Sequence, residues 1–164
     1  MDALADSAIE IVLAHEGGLE DDPDDPGGLT NWGFDLRSNP DLTADQLRAM
    51  TREEAKQRYH DRLWVPMRWD HLPPAIATKE FDLSVVMGAT SAVTVLQRAL
   101  RACGRPVSED GALGSLTIAA ASQADAVALL AALKSEGAGH FRLVAAAHSA
   151  ESKFLTGWLN RCYA

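Results

Sequence analysis

ALADSAIEIVLAHEGGLEDDPDDPGGLTNWG, residues 3–33, contains one helix, one stop and one loop. Its first half carries apolar side chains on nearly every helical face, which predicts a helix over 3–15 that is buried on most sides. Tandem glycine at Gly17-Gly18 ends it. Glu16 therefore closes an apolar helix where the chain opens into a loop. Beyond that point the polar character changes abruptly. Glu16, Glu20, Asp21, Asp22, Asp24 and Asp25 fall within ten positions, and Pro23, Pro26 and four glycines up to Gly28 share the stretch. Residues 19–41 have little periodicity and read as loop, with a small β excursion near 19–36.

Working outward, the helical signal returns at Thr43. Thr43-x-x-Gln46 and Thr51-x-x-Glu54 both match the capping box, so two helices start there, the second reaching about Leu63. Pro73-Pro74 opens another, with Ile76, Phe81, Val85 and Val86 as its core face. Residues 91–103 follow as a helix closed by Gly104. The turn SEDGALGS, 108–115, leads into Ala-rich helical segments over roughly 115–135, 137–149 and 151–162. The expected fold is mainly α, with a small irregular or β region after the first helix.

The chain has 164 residues, 47 % hydrophobic and 23 % charged, which fits a single globular domain with a real core. Its formal net charge of -8 argues against nucleic acid and against an anionic membrane surface, since both reward clustered Lys and Arg. No run approaches the 18 apolar residues of a membrane span, so no membrane insertion is expected. Two aspartates and a glutamate near the N-terminus argue against a Sec signal there. Cys103 and Cys162 lack CxxC spacing and read as small buried hydrophobes rather than a zinc or redox pair.

What chemistry does the acidic stretch support? An EF-hand loop starting at Asp22 would put Pro26 at position 5 and Gly33 at position 12, so the pattern fails. His15-Glu16 has Leu19 where an HExxH zinc motif needs its second histidine, so no metal is expected. A solvated acidic turn accounts for Asp21, Asp22 and Asp24 but not for Glu16. A carboxyl set against apolar neighbours loses hydration in its charged form and keeps its proton to higher pH. That is the property of a general acid that protonates a leaving-group oxygen. A second carboxylate in a wetter loop stays ionised and positions water or stabilises an oxocarbenium-like transition state.

The run Glu16-Gly17-Gly18, then Asp22-Pro23-x-Asp25-Pro26-Gly27-Gly28-x-Thr30-Asn31-x-Gly33, resembles the signature of the family 108 glycoside hydrolases. These are bacterial and phage N-acetylmuramidases of lysozyme-like fold. Phe81-Asp82 with Gly88, Leu96-Gln97 with Ala99-Leu100, Asp110-Gly111 with Gly114 and Thr117, and Gly157-Trp158-Leu159-Asn160-Arg161 resemble that family's C-terminal, peptidoglycan-associated half. The resemblance implies a lysozyme-like helical domain spanning 1–164, with a catalytic half over 1–72 and a helical peptidoglycan-associated half over 73–164. It implies Glu16 as the catalytic acid. The order Glu16, Asp25, Thr30 also resembles the Glu-Asp-Thr constellation of phage-type lysozymes, which makes Asp25 and Thr30 the candidates for holding water. The family's pattern is broken by Leu19 for an aromatic, Asp35 for a hydroxyl and Val86 for an asparagine. Asp35 is thereby an alternative second carboxylate.

Asn31, Trp32 and Asp35 are the candidate substrate contacts, with Trp32 divided evenly between sugar stacking and packing. Trp64, Trp69 and Trp158 are expected as core anchors, and Tyr59 and His60 as solvated. His15 is expected to be structural, and His140 and His148 lack a third metal ligand. The expected activity is cleavage of the β-1,4 bond between N-acetylmuramic acid and N-acetylglucosamine in peptidoglycan glycan strands, with no cofactor. A monomer is expected, made in the cytoplasm and acting in the periplasm or cell wall after delivery through a holin or secretion pathway. A lytic transglycosylase and a catalytically inactive peptidoglycan-binding module are the alternatives.

Overall fold

A computed structural model describes residues 1–21 and 28–164. The chain forms two compact units, Met1–Pro66 and Met67–Ala164. The boundary expected at 72/73 lies inside the second unit, where Trp69 and Leu72 are buried. The fold is mainly α with one small β region, as the sequence predicts. Among the described residues no helix is long and apolar enough to cross a membrane.

The first unit begins with α1, Ala3–Glu16, capped by the Asp2 side chain, which accepts from the Ala5 amide at 2.8 Å. Ala5, Ala8, Ile9, Val12 and Leu13 are its buried face. Full burial of a side chain such as Ile9 or Leu13 contributes about 1.5–3 kcal/mol, far more than the cap. Gly17, with φ +73°, lets the chain leave the helix through a conformation most residues avoid.

Strands β1 (Thr30–Asn31) and β2 (Phe34–Asp35) form an antiparallel hairpin, with Thr30 opposite Asp35 and Asn31 opposite Phe34. Its turn residues Trp32 and Gly33 both have positive φ, 52° and 81°, as the two-residue turn that follows a right-handed strand twist requires. Helices α2 (Ala44–Ala49) and α3 (Arg52–Tyr59) follow, and both capping boxes form as read from the sequence. A π-helical turn, His60–Trp64, extends α3, and a last short turn, α4, spans Val65–Met67.

Ion pairs join α3 to α1. Lys56 Nζ stands 2.6 Å from Asp6 and 2.9 Å from Glu10, and Arg52 pairs with the same Glu10 carboxylate. Hydrogen bonds from Arg52 and then Lys56 pull the Glu10 carboxyl down to about 2 from an ordinary 4.5. A lowered folded-state value stabilises the protein above the ordinary value, and the contribution disappears as pH falls towards 2. Glu10 is partly exposed, so the contribution is modest. We expect Glu10→Gln to lower the unfolding free energy by about 1 kcal/mol at pH 7. In urea titrations the gap to wild type should close between pH 4.5 and 2. A gap that persists at pH 2 would place the effect in packing instead.

The second unit contains α5 (Pro74–Met87), α6 (Ala89–Ala102), α7 (Ser115–Gln123), α8 (Ala126–Ala147) and α9 (Leu155–Tyr163). Short 3-10 turns at Trp69–His71 and Ser149–Phe154 complete it. Ile76, Phe81, Leu83, Val93, Leu96, Leu100, Leu129 and Leu133 are its fully buried core. The Ala-rich stretch differs from expectation. Its break falls at Ala124-Asp125, where the Asp125 side chain caps α8 through the Ala128 amide. Gly137 sits inside the continuous α8, because a methyl there would stand 3.3 Å from Leu83 Cδ1 and 3.4 Å from Cys162 Sγ. The glycine trades helix propensity for close approach to α5 and α9.

The motif residues of this half are held in two polar networks. Asp82 accepts from Arg161 Nε at 2.7 Å and pairs with Lys79 Nζ at 3.3 Å, joining α5 to α9. Gln97 donates to Asp110 Oδ1 at 2.7 Å and accepts from the Gly111 amide at 3.0 Å, fastening the 105–114 loop to α6. Gly111 cannot carry a side chain there, since a methyl would stand 2.6 Å from Thr90 Cγ2. Trp64 and Trp69 are buried. Trp158 stacks on Phe141 at 4.9 Å. Cys103 and Cys162 are both free thiols, and burial pushes Cys162 up to about 11.

Candidate active site

Glu16 is the last residue of α1 and is half-buried. Its surroundings are set by the hairpin turn and by α3. A methyl at Gly33 would lie 2.9 Å from Glu16 Cγ, 2.9 Å from Glu16 Oε2 and 2.5 Å from the Tyr59 hydroxyl. Only a glycine therefore fits between them, and its positive φ requires the same residue. Three distant pieces of chain meet at this point: the end of α1, the tip of the hairpin and the end of α3.

The hairpin tip is fixed from several sides. The Tyr59 hydroxyl donates to the Trp32 carbonyl at 3.0 Å, and the Tyr59 ring packs on Phe34 with centroids 4.7 Å apart. Trp32 Nε1 donates to the Met50 carbonyl at 3.1 Å, which anchors a non-glycine residue in a left-handed conformation. The half-buried indole thus serves packing at its nitrogen. Asn31 is buried at 3 % exposure. Its amide nitrogen donates to the carbonyls of Leu47 (2.9 Å) and Met50 (3.2 Å). The amide nitrogen is thereby spent on holding the hairpin to α2.

Thr30 and Asp35 share the opposite face of the hairpin, because side chains alternate along a strand. Glu20 extends the row, exchanging two 2.9 Å backbone hydrogen bonds with Thr30. Burial works to raise the Asp35 carboxyl, but hydrogen bonds from the Ser38 amide and hydroxyl outweigh it and hold it below the usual carboxylate range. Its Oδ1 accepts from Ser38 N at 2.8 Å. Asp35 therefore combines a turn-closing role with a permanent negative charge opposite Thr30. Asp25, the other candidate second carboxylate, lies outside the described residues. Among the described residues no three His, Cys, Asp or Glu side chains cluster to hold a metal.

Tyr59 is the residue that sequence reasoning missed. It is 2 % exposed rather than solvated. The signal was present: Ala55 and Tyr59, one turn apart, are the apolar stripe of an otherwise charged helix.

A half-buried carboxyl thus ends an apolar helix and faces a small hairpin that carries a second carboxylate. Residues 9–88 match the family described as glycosyl hydrolase 108, and residues 91–163 match the one described as "Predicted Peptidoglycan domain". The chain thus pairs a glycosyl hydrolase 108 domain over residues 9–88 with a peptidoglycan-associated domain over residues 91–163, and is a glycosidase that acts on cell-wall peptidoglycan. Among solved structures it is similar to SagA from Brucella abortus, with a TM-score of 0.79 and 26 % identity over 97 % of this chain and 89 % of that one. No curated protein matches it significantly.

Proposed function

We propose that the chain is an N-acetylmuramidase that hydrolyses the β-1,4 bond between N-acetylmuramic acid and N-acetylglucosamine. The observation that carries this reading is the placement of Glu16, a carboxyl closing an apolar helix and held against Gly33 and Tyr59. Glu16 gives its proton to the glycosidic oxygen as the C1–O bond breaks. A water then adds to C1, and its proton passes to a carboxylate base. Thr30 positions that water, with Asp35 or Asp25 as the charged partner. The ionised Asp35 opposite Thr30 fits that role. The part-exposed ring of Trp32 offers a sugar contact. Glycan strands in the periplasm or cell wall are the substrate, reached through a holin or secretion route, and the chemistry needs no cofactor.

The test is the product. Mass spectrometry of sacculi digested by the purified protein should show fragments ending in reducing N-acetylmuramic acid. Fragments ending in 1,6-anhydro sugar would instead make the chain a lytic transglycosylase. Binding to sacculi without any fragments, at every pH from 4 to 8, would make it an inactive binding module.

A further inference from the structure

The 105–114 loop and α7 enclose a groove of about 720 Å³, wholly within the second unit. That is inside the range of roughly 300–1,000 Å³ in which ligand pockets fall. Its walls are fixed in advance. Gln97 is 1 % exposed and spends its amide on the loop. It donates to Asp110 Oδ1 at 2.7 Å and to the Ala112 carbonyl at 3.2 Å, and accepts from the Gly111 amide at 3.0 Å. A buried amide satisfied in this way rigidifies what it holds. Arg105 Nη2 donates to the Gln123 carbonyl at 2.6 Å, which ties the start of the loop to the last residue of α7. The floor is left open. Leu116 is 81 % exposed, and Pro106, Ala112 and Ala119 are exposed beside it. An apolar surface rimmed by polar groups marks a binding groove.

We infer that this groove binds the peptide stem of peptidoglycan, seating alanine methyls on Leu116, Ala112 and Ala119 and a carboxylate on Arg105. The stem is built from alanines, an acidic residue and a diamino acid, so it offers methyl groups, carboxylates and an ammonium. The small apolar floor suits the methyls. Arg105 carries more N–H donors than the one given to Gln123, and a guanidinium receives a carboxylate through two parallel hydrogen bonds. Asp110 supplies the opposite charge. Hydrogen bonds from the Ala112 amide and then from the Gln97 side chain hold its carboxyl below the usual carboxylate range, so it stays ionised for the stem's ammonium. A glycan strand fits less well. None of the described residues lining the groove is aromatic, so a sugar face has no ring to stack on. The groove thus gives the second unit its own hold on the substrate, while Glu16 belongs to the first.

The occupant follows from peptidoglycan being the substrate, while its test does not depend on cleavage. The probe is the free tetrapeptide l-Ala-γ-d-Glu-meso-diaminopimelate-d-Ala, added to the nitrogen-15-labelled full chain and followed by amide chemical shifts. Saturable shifts should concentrate on the loop and α7, between residues 105 and 123. Arg105→Met should weaken binding about tenfold, the scale of one charge-assisted hydrogen bond. Leu116→Glu should weaken it by a similar factor, because it sets a negative charge against the stem's carboxylates. Leu116 is exposed, so this second variant tests the groove without disturbing a packed side chain, and thermal melting checks that both variants fold. No shifts at millimolar peptide, or unaltered affinity in both folded variants, overturns the inference. Shifts at the groove from an N-acetylglucosamine tetramer but not from the peptide overturn it as well. Peptide binding at the groove by a chain that never cuts sacculi upholds the groove and refutes the muramidase reading. Cutting of sacculi without peptide binding does the reverse.

Discussion

Glu16→Gln should leave the protein folded and reduce the rate of peptidoglycan hydrolysis by about 10³-fold, within the range for loss of a positioned general acid. That corresponds to about 4 kcal/mol of transition-state stabilisation. Glutamine keeps the shape that fits against Gly33 and Tyr59, so the change removes the ionisable proton and little else. The helix behind it is unaffected, because the buried face of α1 ends at Leu13. Initial rates on purified peptidoglycan, with thermal melting as the folding control, make the measurement. A folded Glu16→Gln with full activity would refute the assignment of the acid. The same assay on Asp25→Asn and Asp35→Asn identifies the second carboxylate as the one whose loss costs the larger factor. Asp35→Asn carries a second consequence, since the Ser38 amide also uses that carboxylate.

The helices were legible because their signals are local. The Asp2 cap, both capping boxes and the apolar face of α1 are each contained within one element. The break expected between 135 and 137 was misplaced because nothing local shows how Gly137 packs: its neighbours Leu83 and Cys162 come from 54 residues earlier and 25 later. Glu16 was legible because its defining property, an apolar helix ending at a glycine pair, is sequential. The partners around it were not. Tyr59 reaches the site only through a hairpin whose turn places a tryptophan at positive φ, and no propensity predicts that residue there. The packing of Asn31 was hidden for another reason. A polar residue beside a predicted site reads as a ligand contact, yet the carbonyls of Leu47 and Met50 needed a donor. Motifs shared with a family carry no label of purpose. In the second half the Gln97–Asp110–Gly111 set is a fastening for a loop, and the Asp82–Arg161 pair is a fastening for a helix.

That last pair carries the largest expected effect on stability. Asp82 is 1 % exposed, and the side chains of its partners Lys79 and Arg161 are 10 % and 11 % exposed. Asp82→Ala removes the carboxylate that Lys79 and Arg161, two nearly buried cations, share. The attraction lost and the desolvation left unopposed act in the same direction, so we expect a cost of about 3–5 kcal/mol. For a chain of this length that lowers Tm by roughly 10 °C. Lys79 Nζ also donates to the Arg161 carbonyl at 2.9 Å, so the loss would loosen the backbone of α9 as well. Replacing all three charges together, as Lys79→Met, Asp82→Leu and Arg161→Met, should recover most of the stability, because no buried charge then lacks a partner. Urea titration of the single and triple variants measures both values. If Asp82→Ala were as stable as wild type, the network would be a solvated bridge rather than a fastening. At temperatures where the single variant remains folded its kcat should match wild type, which separates the structural part of this family's motifs from Glu16.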